Sequence, residues 1–350
     1  MRDDPVLATR ASGAVIAERK IVLVTRRTRL EELLVRHHSI AQARFHVERL
    51  GADFDDYRRE HETFDAARKA AWASLARFVR RQSIDRRHLP NFIFGPDDIV
   101  VALGQDGLVA NTMKYLDGQL LVGVNSDPSR HDGVLLPFAV ADLERVLPEV
   151  AANRRAAKSV TMAKATLSDG QALYAVNDLF VGPRSHTSAR YEIRQCDRGE
   201  TQSSSGIIVS TGLGSTAWMR SVVTGAVAVA AAWSRRGAKV DATTPARASA
   251  STEAPSAARA SLAARMSWWR PMPWDAAELI YAVREPFPSV SSEATLVYGS
   301  IDASREIVLR SLMSDSGVIF SDGIEADAIE WNAGAVATIG IAERRGSLVQ

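Results

Sequence analysis

The sequence predicts an α/β plus β protein of two domains, and three observations carry that prediction. Up to about residue 138, strand-like apolar runs alternate with segments of helical periodicity, which implies a parallel sheet. Beyond Pro137, short strand-like stretches follow one another with turn signals between them, which implies a strand-rich second domain. The length of 350 residues at 46% hydrophobic is enough for two ordinary cores. The expected division is a disordered start at 1–19, an N-terminal α/β domain at 20–138 and a C-terminal strand-rich domain at 139–350. A flexible insert at about 234–265 interrupts the second domain.

Taken in order, residues 20–25 (KIVLVT) form a first apolar strand, and 30–50 and 54–81 read as two charged amphipathic helices. Residues 98–103 form a second strand, 108–116 a helix and 119–125 a further strand. A helix over 139–153 precedes strands at 159–167, 172–181, 189–194 and 207–210, with Ser168-Asp169-Gly170 as the turn between the first two. From Ala238 to Ser261 the composition collapses to Ala, Ser, Thr, Pro and Arg, which cannot bury enough apolar surface to order itself. It reads either as a tolerated surface loop or as a regulatory insert. Trp268, Trp269 and Trp274 follow, as anchors for the chain's return to the fold or as a docking surface.

Composition excludes several function classes. With 43 basic and 41 acidic residues the formal net charge is +2, too small a field to argue for nucleic acid or an anionic membrane. The single cysteine, Cys196, excludes an intramolecular disulfide and a multi-cysteine zinc site, and fits a structural thiol in a reducing compartment. The first 20 residues mix Arg with Asp3, Asp4 and Glu18 and do not read as a secretory signal. The most apolar helix, at 221–233, falls short of the roughly 20 residues that span a bilayer. A cytoplasmic protein is expected.

Three segments carry chemistry. The run Ile99 to Leu103 delivers Gly104, Gln105, Asp106 and Gly107 to the start of a helix. Glycines there let backbone approach a phosphate, the helix offers free N–H groups, and Asp106 adds a carboxylate, either as a reactive group or as a local helix cap. Asn177 and Asp178 interrupt an apolar strand, either as a strand-end turn or as partners for ribose hydroxyls and a carboxamide. Ser210 to Thr216 (STGLGST) offers hydroxyls and N–H groups just before a helix starting near Ala217. Between the first two segments, Asn125 lies at a strand's carboxyl end, and Arg130 in SDPSRHDG suits a phosphate or is an ordinary surface arginine.

In this order the three segments resemble the NAD kinase family, which carries a GGDG loop, an Asn-Glu or Asn-Asp pair and a loop usually written STPTGSTAY. GVNSDPSRHDGVLLP (123–137) and the closing DGIEADAIEWNAGAVATIGI are similar to the mitochondrial-type branch, and the resemblance runs from about Ile21 to Gln350 apart from the insert. It implies a Rossmann-like N-terminal domain, a β-sandwich-like C-terminal domain and a dinucleotide site completed by both. It also implies transfer of the ATP γ-phosphate to the adenosine ribose 2′-hydroxyl of NAD to make NADP, with Mg²⁺ and Asp106 as base. Gly104, Gln105, Gly107, Asn125, Arg130, Asn177, Asp178, Ser210, Thr211, Gly214, Ser215, Thr216 and Ala217 would then bind nucleotide. A homodimer or higher homo-oligomer is expected.

Four residues depart from the pattern: Gln105 for the second Gly of GGDG, Leu108 for the following Thr or Ser, Ser205 for Asp, and Trp218 for Tyr. Gln105 keeps open a catalytically impaired NAD-binding regulator, and GGDG-like loops also occur in lipid kinases. Asn177-Asp178 and STGLGST favour NAD over a lipid.

Overall fold

The computed structural model describes residues 19–240, 266–267 and 269–350. Two compact units emerge: residues up to Met162 together with Glu343–Gln350, and Ala163–Ala342.

The first unit is built on parallel strands β1 (Ile21–Thr25), β2 (Arg81–Asp85), β3 (Ile99–Gly104) and β4 (Leu120–Asn125), in the order β2-β1-β3-β4. A two-residue β5 (Phe138–Ala139) adds to β4 in parallel, as do Ser347 and Leu348 of the chain's final strand. β1 and β3 are buried along their whole length, as parallel strands covered on both faces must be. Ile21, Leu23, Val101, Leu103 and Val122 share one core with Phe64, Leu75, Leu143, Leu147 and Val150 from the helices. That packing corrects the expected boundary near Phe138: helix Leu143–Ala151 spends its apolar face on the first core, so the unit runs on to Met162.

Two helical expectations also change. The segment 30–50 is two helices, Arg29–His37 and Ile40–Arg49, because His38 turns left-handed at φ 60° and Ser39 caps a fresh start by accepting the Gln42 N–H at 3.2 Å. The segment 54–81 is helix only over Phe54–Ser74, followed by a 3₁₀ turn. Its end belongs to β2, whose RQSID sequence hides an edge strand because only Ile84 is buried.

The second unit is a β-sandwich, as the resemblance implied. Its strands are β6 (Ala157–Leu167), which begins in the first unit and enters the second at Ala163, β7 (Ala172–Ala175), β8 (Asp178–Pro183), β9 (Ala189–Gln195), β10 (Arg198–Ser204) and β11 (Ile207–Ser210). They continue as β12 (Leu279–Val283), β13 (Tyr298–Ile301), β14 (Ile307–Ser311), β15 (Gly317–Ser321), β16 (Ile324–Glu330) and β17 (Val336–Val349), the last crossing back into the first unit. One antiparallel sheet runs β13-β12-β11-β8-β15-β16, and β10, β9, β14 and the first half of β17 line up antiparallel in another. Leu179, Val181, Val209 and Tyr281 from the former meet Tyr191, Ile193, Ile307, Leu309 and Ile339 from the latter, around a fully buried Trp331. β10, RGETQSS, escaped the sequence reading because it has no apolar run.

Helix Trp218–Val240 covers the outer face of the first of these sheets, packing Met219 and Val222 against Phe180, Ile208 and Ile280. It runs seven residues into the stretch expected to be flexible; 241–265 lie outside the described residues, as do 1–18 and Trp268. Trp269 joins the same cluster and anchors the returning chain. Cys196 is exposed at the β9–β10 turn, where φ is 52°, so the expectation of a structural thiol does not hold. No described helix is long and apolar enough to cross a membrane.

Candidate functional site

In the first unit β3 ends at Gly104 and the helix Asp106–Met113 begins two residues later. Gln105 is the residue at the helix's N-terminal boundary, in extended conformation at φ −123° and ψ 167°, and its side chain caps nothing. No positive φ is needed there, so the loop's geometry gives no reason to require Gly at this position. Gly104 is small for a different reason: a Cβ would lie 3.0 Å from the Leu108 side chain, which folds back over the loop. Gly107 is open, with nothing within 4 Å of a Cβ.

Asp106 is the first helical residue and not its cap. Its Oδ1 accepts the Leu135 N–H at 2.7 Å, which orients the carboxylate at the positive end of the helix dipole and leaves its second oxygen with no hydrogen bond among the described residues. The segment that supplies Leu135 is shaped by Asn125. Its Nδ2 donates to the His131 carbonyl at 3.2 Å and its Oδ1 accepts the Asp127 N–H at 3.0 Å, with Gly133 at φ 72° pressed against the amide. Asn125 therefore holds the loop with both ends of its side chain. Arg130 pairs with Asp56 at 2.5 Å and with Asp127 at 3.3 Å. Hydrogen bonds from Arg130 and then Arg29 hold the Asp56 carboxyl well below its usual range.

Beside Gln105 opens a cavity of about 510 Å³ lined by Arg26, Arg27, Arg29, Arg86, Arg130 and His131, with Glu32 and Glu60. Arg26 reaches Glu60 at 2.9 Å, while its buried Nε has no hydrogen-bond partner among the described residues. An excess of guanidinium in a concave site suits a polyphosphate. Sequence reasoning missed Arg26, Arg27 and Arg29, although the signal was present: TRRTR begins at the carboxyl end of the first parallel strand, where such sheets bind ligands.

In the second unit the strand expected over 172–181 breaks at Val176 and Asn177, so that β8 begins at Asp178. Two elements grip this turn. From STGLGST, Thr211 donates its N–H to the Asn177 carbonyl at 2.9 Å and its hydroxyl to the Val176 carbonyl at 2.6 Å. Gly214 lies so close that a Cβ would sit 2.1 Å from the Asn177 oxygen. From the other side, Asp322 accepts the N–H groups of Val176 at 3.1 Å, Asn177 at 2.6 Å and Asp178 at 3.3 Å.

The hydroxyls of STGLGST work inward. Thr211 Oγ1 also accepts the Gly214 N–H, Ser215 Oγ donates to Gly212 and accepts from Met272, Thr216 Oγ1 donates to Leu213, and Ser210 Oγ donates to the Thr211 carbonyl. Neither Ser215 nor Thr216 caps the next helix; a 3₁₀ turn Gly214–Thr216 and Ala217 precede its start at Trp218. The Trp218 ring packs against Phe180 and Phe320, which also touch each other, and this accounts for an aromatic residue there without a phenol.

Asn177 is half-buried and its carboxamide makes no hydrogen bond among the described residues. Asp178 is buried and one of its oxygens has no hydrogen-bond partner among the described residues. Burial pushes its carboxyl up to about 7; Ser210 and the Trp218 N–H pull the other way, and the negative charge of Asp322 adds to the rise. A buried acid with an unused oxygen beside a free carboxamide is a hydrogen-bonding pair without a ligand.

No family model matches the chain, and no curated protein matches it by sequence. Solved structures do. The yeast NADH kinase complexed with NADH matches with a TM-score of 0.53 at 13% identity, over 95% of this chain and 83% of that one. The chain has the NAD kinase fold. An NAD kinase from Archaeoglobus fulgidus in complex with ATP aligns at TM-score 0.48 and 14% identity, over 94% of this chain and 93% of that one.

Within this NAD kinase fold the first unit collects Gly104, Gln105, Asp106 and Gly107 at one strand end, beside the loop built by Asn125. The second unit collects Asn177, Asp178, Ser210, Thr211, Gly214 and Ser215 around one turn. Thr216 and Ala217 are exposed on the outside of that turn. Asp322 was missed as an individual residue; DGIEADAIEWNAG carried the resemblance as a stretch, and nothing in its local sequence says that its first carboxylate serves a turn about 145 residues earlier.

Proposed function

We propose that the chain is an ATP-dependent NAD kinase that transfers the γ-phosphoryl group of ATP to the adenosine ribose 2′-hydroxyl of NAD, giving NADP and ADP. The observation that carries this reading is Asp106: a carboxylate at a strand's carboxyl end and a helix's N-terminus, aimed by the Leu135 N–H and beside an arginine-lined cavity. Phosphoryl transfer asks a protein mainly for positioning and charge neutralisation. Asp106 takes the proton of the 2′-hydroxyl as its oxygen bonds to phosphorus and the bond to the β-γ bridging oxygen breaks. Arg26 and its neighbours neutralise the donor's phosphates, while Asn177 and Asp178 hold the acceptor through ribose hydroxyls and carboxamide.

Magnesium suits these residues as a phosphate-borne ion. The described residues hold no group of three or more His, Cys, Asp or Glu side chains fit to bind a metal, whereas Asp106 keeps one oxygen available. That donor set matches an ion bound through one or two carboxylates, water and substrate phosphates. When bound, it supplies neutralisation of charge on the transferring group.

Gln105 does not favour the impaired-regulator alternative, since its extended backbone leaves the loop undistorted. The test is the Asp106→Asn variant. Turnover to NADP should fall by at least about 10²-fold, the scale of a positioned acid–base group, while NAD binding largely survives. Near-wild-type turnover in a well-folded Asp106→Asn protein would remove Asp106 from the mechanism.

A further inference from the structure

Asp322 and Gly323 sit between β15 and β16 with φ of 54° and 71°. An Asp-Gly pair with two positive φ values is what a tight antiparallel turn requires, and Asn would satisfy that requirement as well as Asp. The turn alone therefore explains the backbone and not the charge. The carboxylate leaves its own hairpin: Oδ1 is 2.6 Å from the Asn177 nitrogen and 3.1 Å from that of Val176, and the Asp178 nitrogen lies at 3.3 Å. In return the Asp322 N–H donates to the Asp178 carbonyl at 2.9 Å.

Those three amides sit where the strand breaks. Unpaired amides away from water are costly, and a carboxylate is the one side chain that can take several at once with charge-assisted strength. Thr211 holds the carbonyls of Val176 and Asn177 from the opposite side. The turn is thus clamped at its N–H groups by one element and at its C=O groups by another, while among the described residues the Asn177 carboxamide and one Asp178 oxygen have no hydrogen-bond partner.

We infer that Asp322 is a positioning residue for acceptor binding, its carboxylate fixing the backbone of Val176 to Asp178 in the conformation that presents Asn177 and Asp178 to NAD. The inference rests on the assignment of those two residues to NAD. Asp322 touches neither the reacting atoms nor the acceptor; it acts through the turn. Its negative charge also helps keep the neighbouring Asp178 carboxyl protonated into the neutral range.

Two substitutions test it. Asp322→Gly keeps the backbone conformation and removes the carboxylate, whereas Asp322→Asn keeps the turn preference and one acceptor oxygen. NAD affinity is measured by calorimetry on the full chain, with KM for NAD and for ATP, kcat and the thermal midpoint in parallel. Asp322→Gly should weaken NAD binding and raise its KM at least about tenfold, with KM for ATP within about twofold, and Asp322→Asn should recover part of the loss. Unchanged NAD affinity in a folded Asp322→Gly protein overturns the inference, as does an equal loss of NAD and ATP affinity, which would mean general loosening. Should the Gly variant not fold, wild-type NAD affinity in Asp322→Asn overturns it. An Asn177→Ala control separates the two levels: if that variant binds NAD like the wild type, the assignment of the turn to NAD fails too. If it binds weakly while Asp322→Gly does not, only the positioning role fails.

Discussion

Asp178 concentrates the chemistry of the second unit in one side chain. It is buried, one oxygen has no partner, and its carboxyl is raised from 3.8 to about 7. Below pH about 3.8 the group is protonated folded or unfolded, and it costs nothing. Between about 3.8 and about 7 the unfolded chain releases a proton that the folded chain keeps, so stability falls as pH rises, by up to about 1.4 kcal/mol per pH unit. Above about 7 the full penalty remains. An Asp178→Asn protein lacks this titration, so its thermal midpoint should gain on the wild type progressively from pH 4 to pH 7 and level off beyond. A difference between the two that stays constant across that range would mean that Asp178 ionises normally in the fold.

At the scale of elements, the STGLGST segment is a brace before it is a ligand loop. Its hydroxyls are spent on its own carbonyls and on the turn at Asn177, and Gly214 allows an approach that no side chain permits. Gly214→Ala should therefore displace the Asn177 carbonyl, raising KM for NAD several-fold and destabilising the fold by an amount typical of overpacking, about 1–3 kcal/mol, read as a lower thermal midpoint. An unaltered KM for NAD in that variant would uncouple the loop from the turn. The same elements mark what the sequence could and could not tell. Strands with apolar runs, such as β3 and β11, were legible to within a residue or so, because burial on both faces writes itself as consecutive Val, Ile and Leu. The edge strands RQSID and RGETQSS carry no such run. Asp106, Asn177 and Asp178 stand out as candidates because each interrupts an apolar segment at its end. Asp322 was not legible, since its role comes from tertiary neighbours and not from local pattern, whereas the arginines around Gln105 were overlooked although TRRTR marks a strand's carboxyl end.

At the scale of the whole molecule, the chain folds as an α/β unit and a β-sandwich, with Glu343–Gln350 returning to the first after the second is complete. That return, and the spending of helix Leu143–Ala151 on the first core, move the division from the expected 138 to Met162, because a helix belongs to whichever core takes its apolar face. Each unit carries part of the proposed machinery: donor-side charge and the Asp106 carboxylate in one, the Asn177–Asp178 turn in the other. A kinase of NAD follows only if both are used in one reaction. The most direct measurement incubates the purified chain with ATP, Mg²⁺ and NAD, following NADP with an NADP-specific dehydrogenase and ADP in parallel. NADP and ADP should form in equal amounts, dependent on both substrates. ADP released without NADP, or neither product from a folded protein, would contradict it.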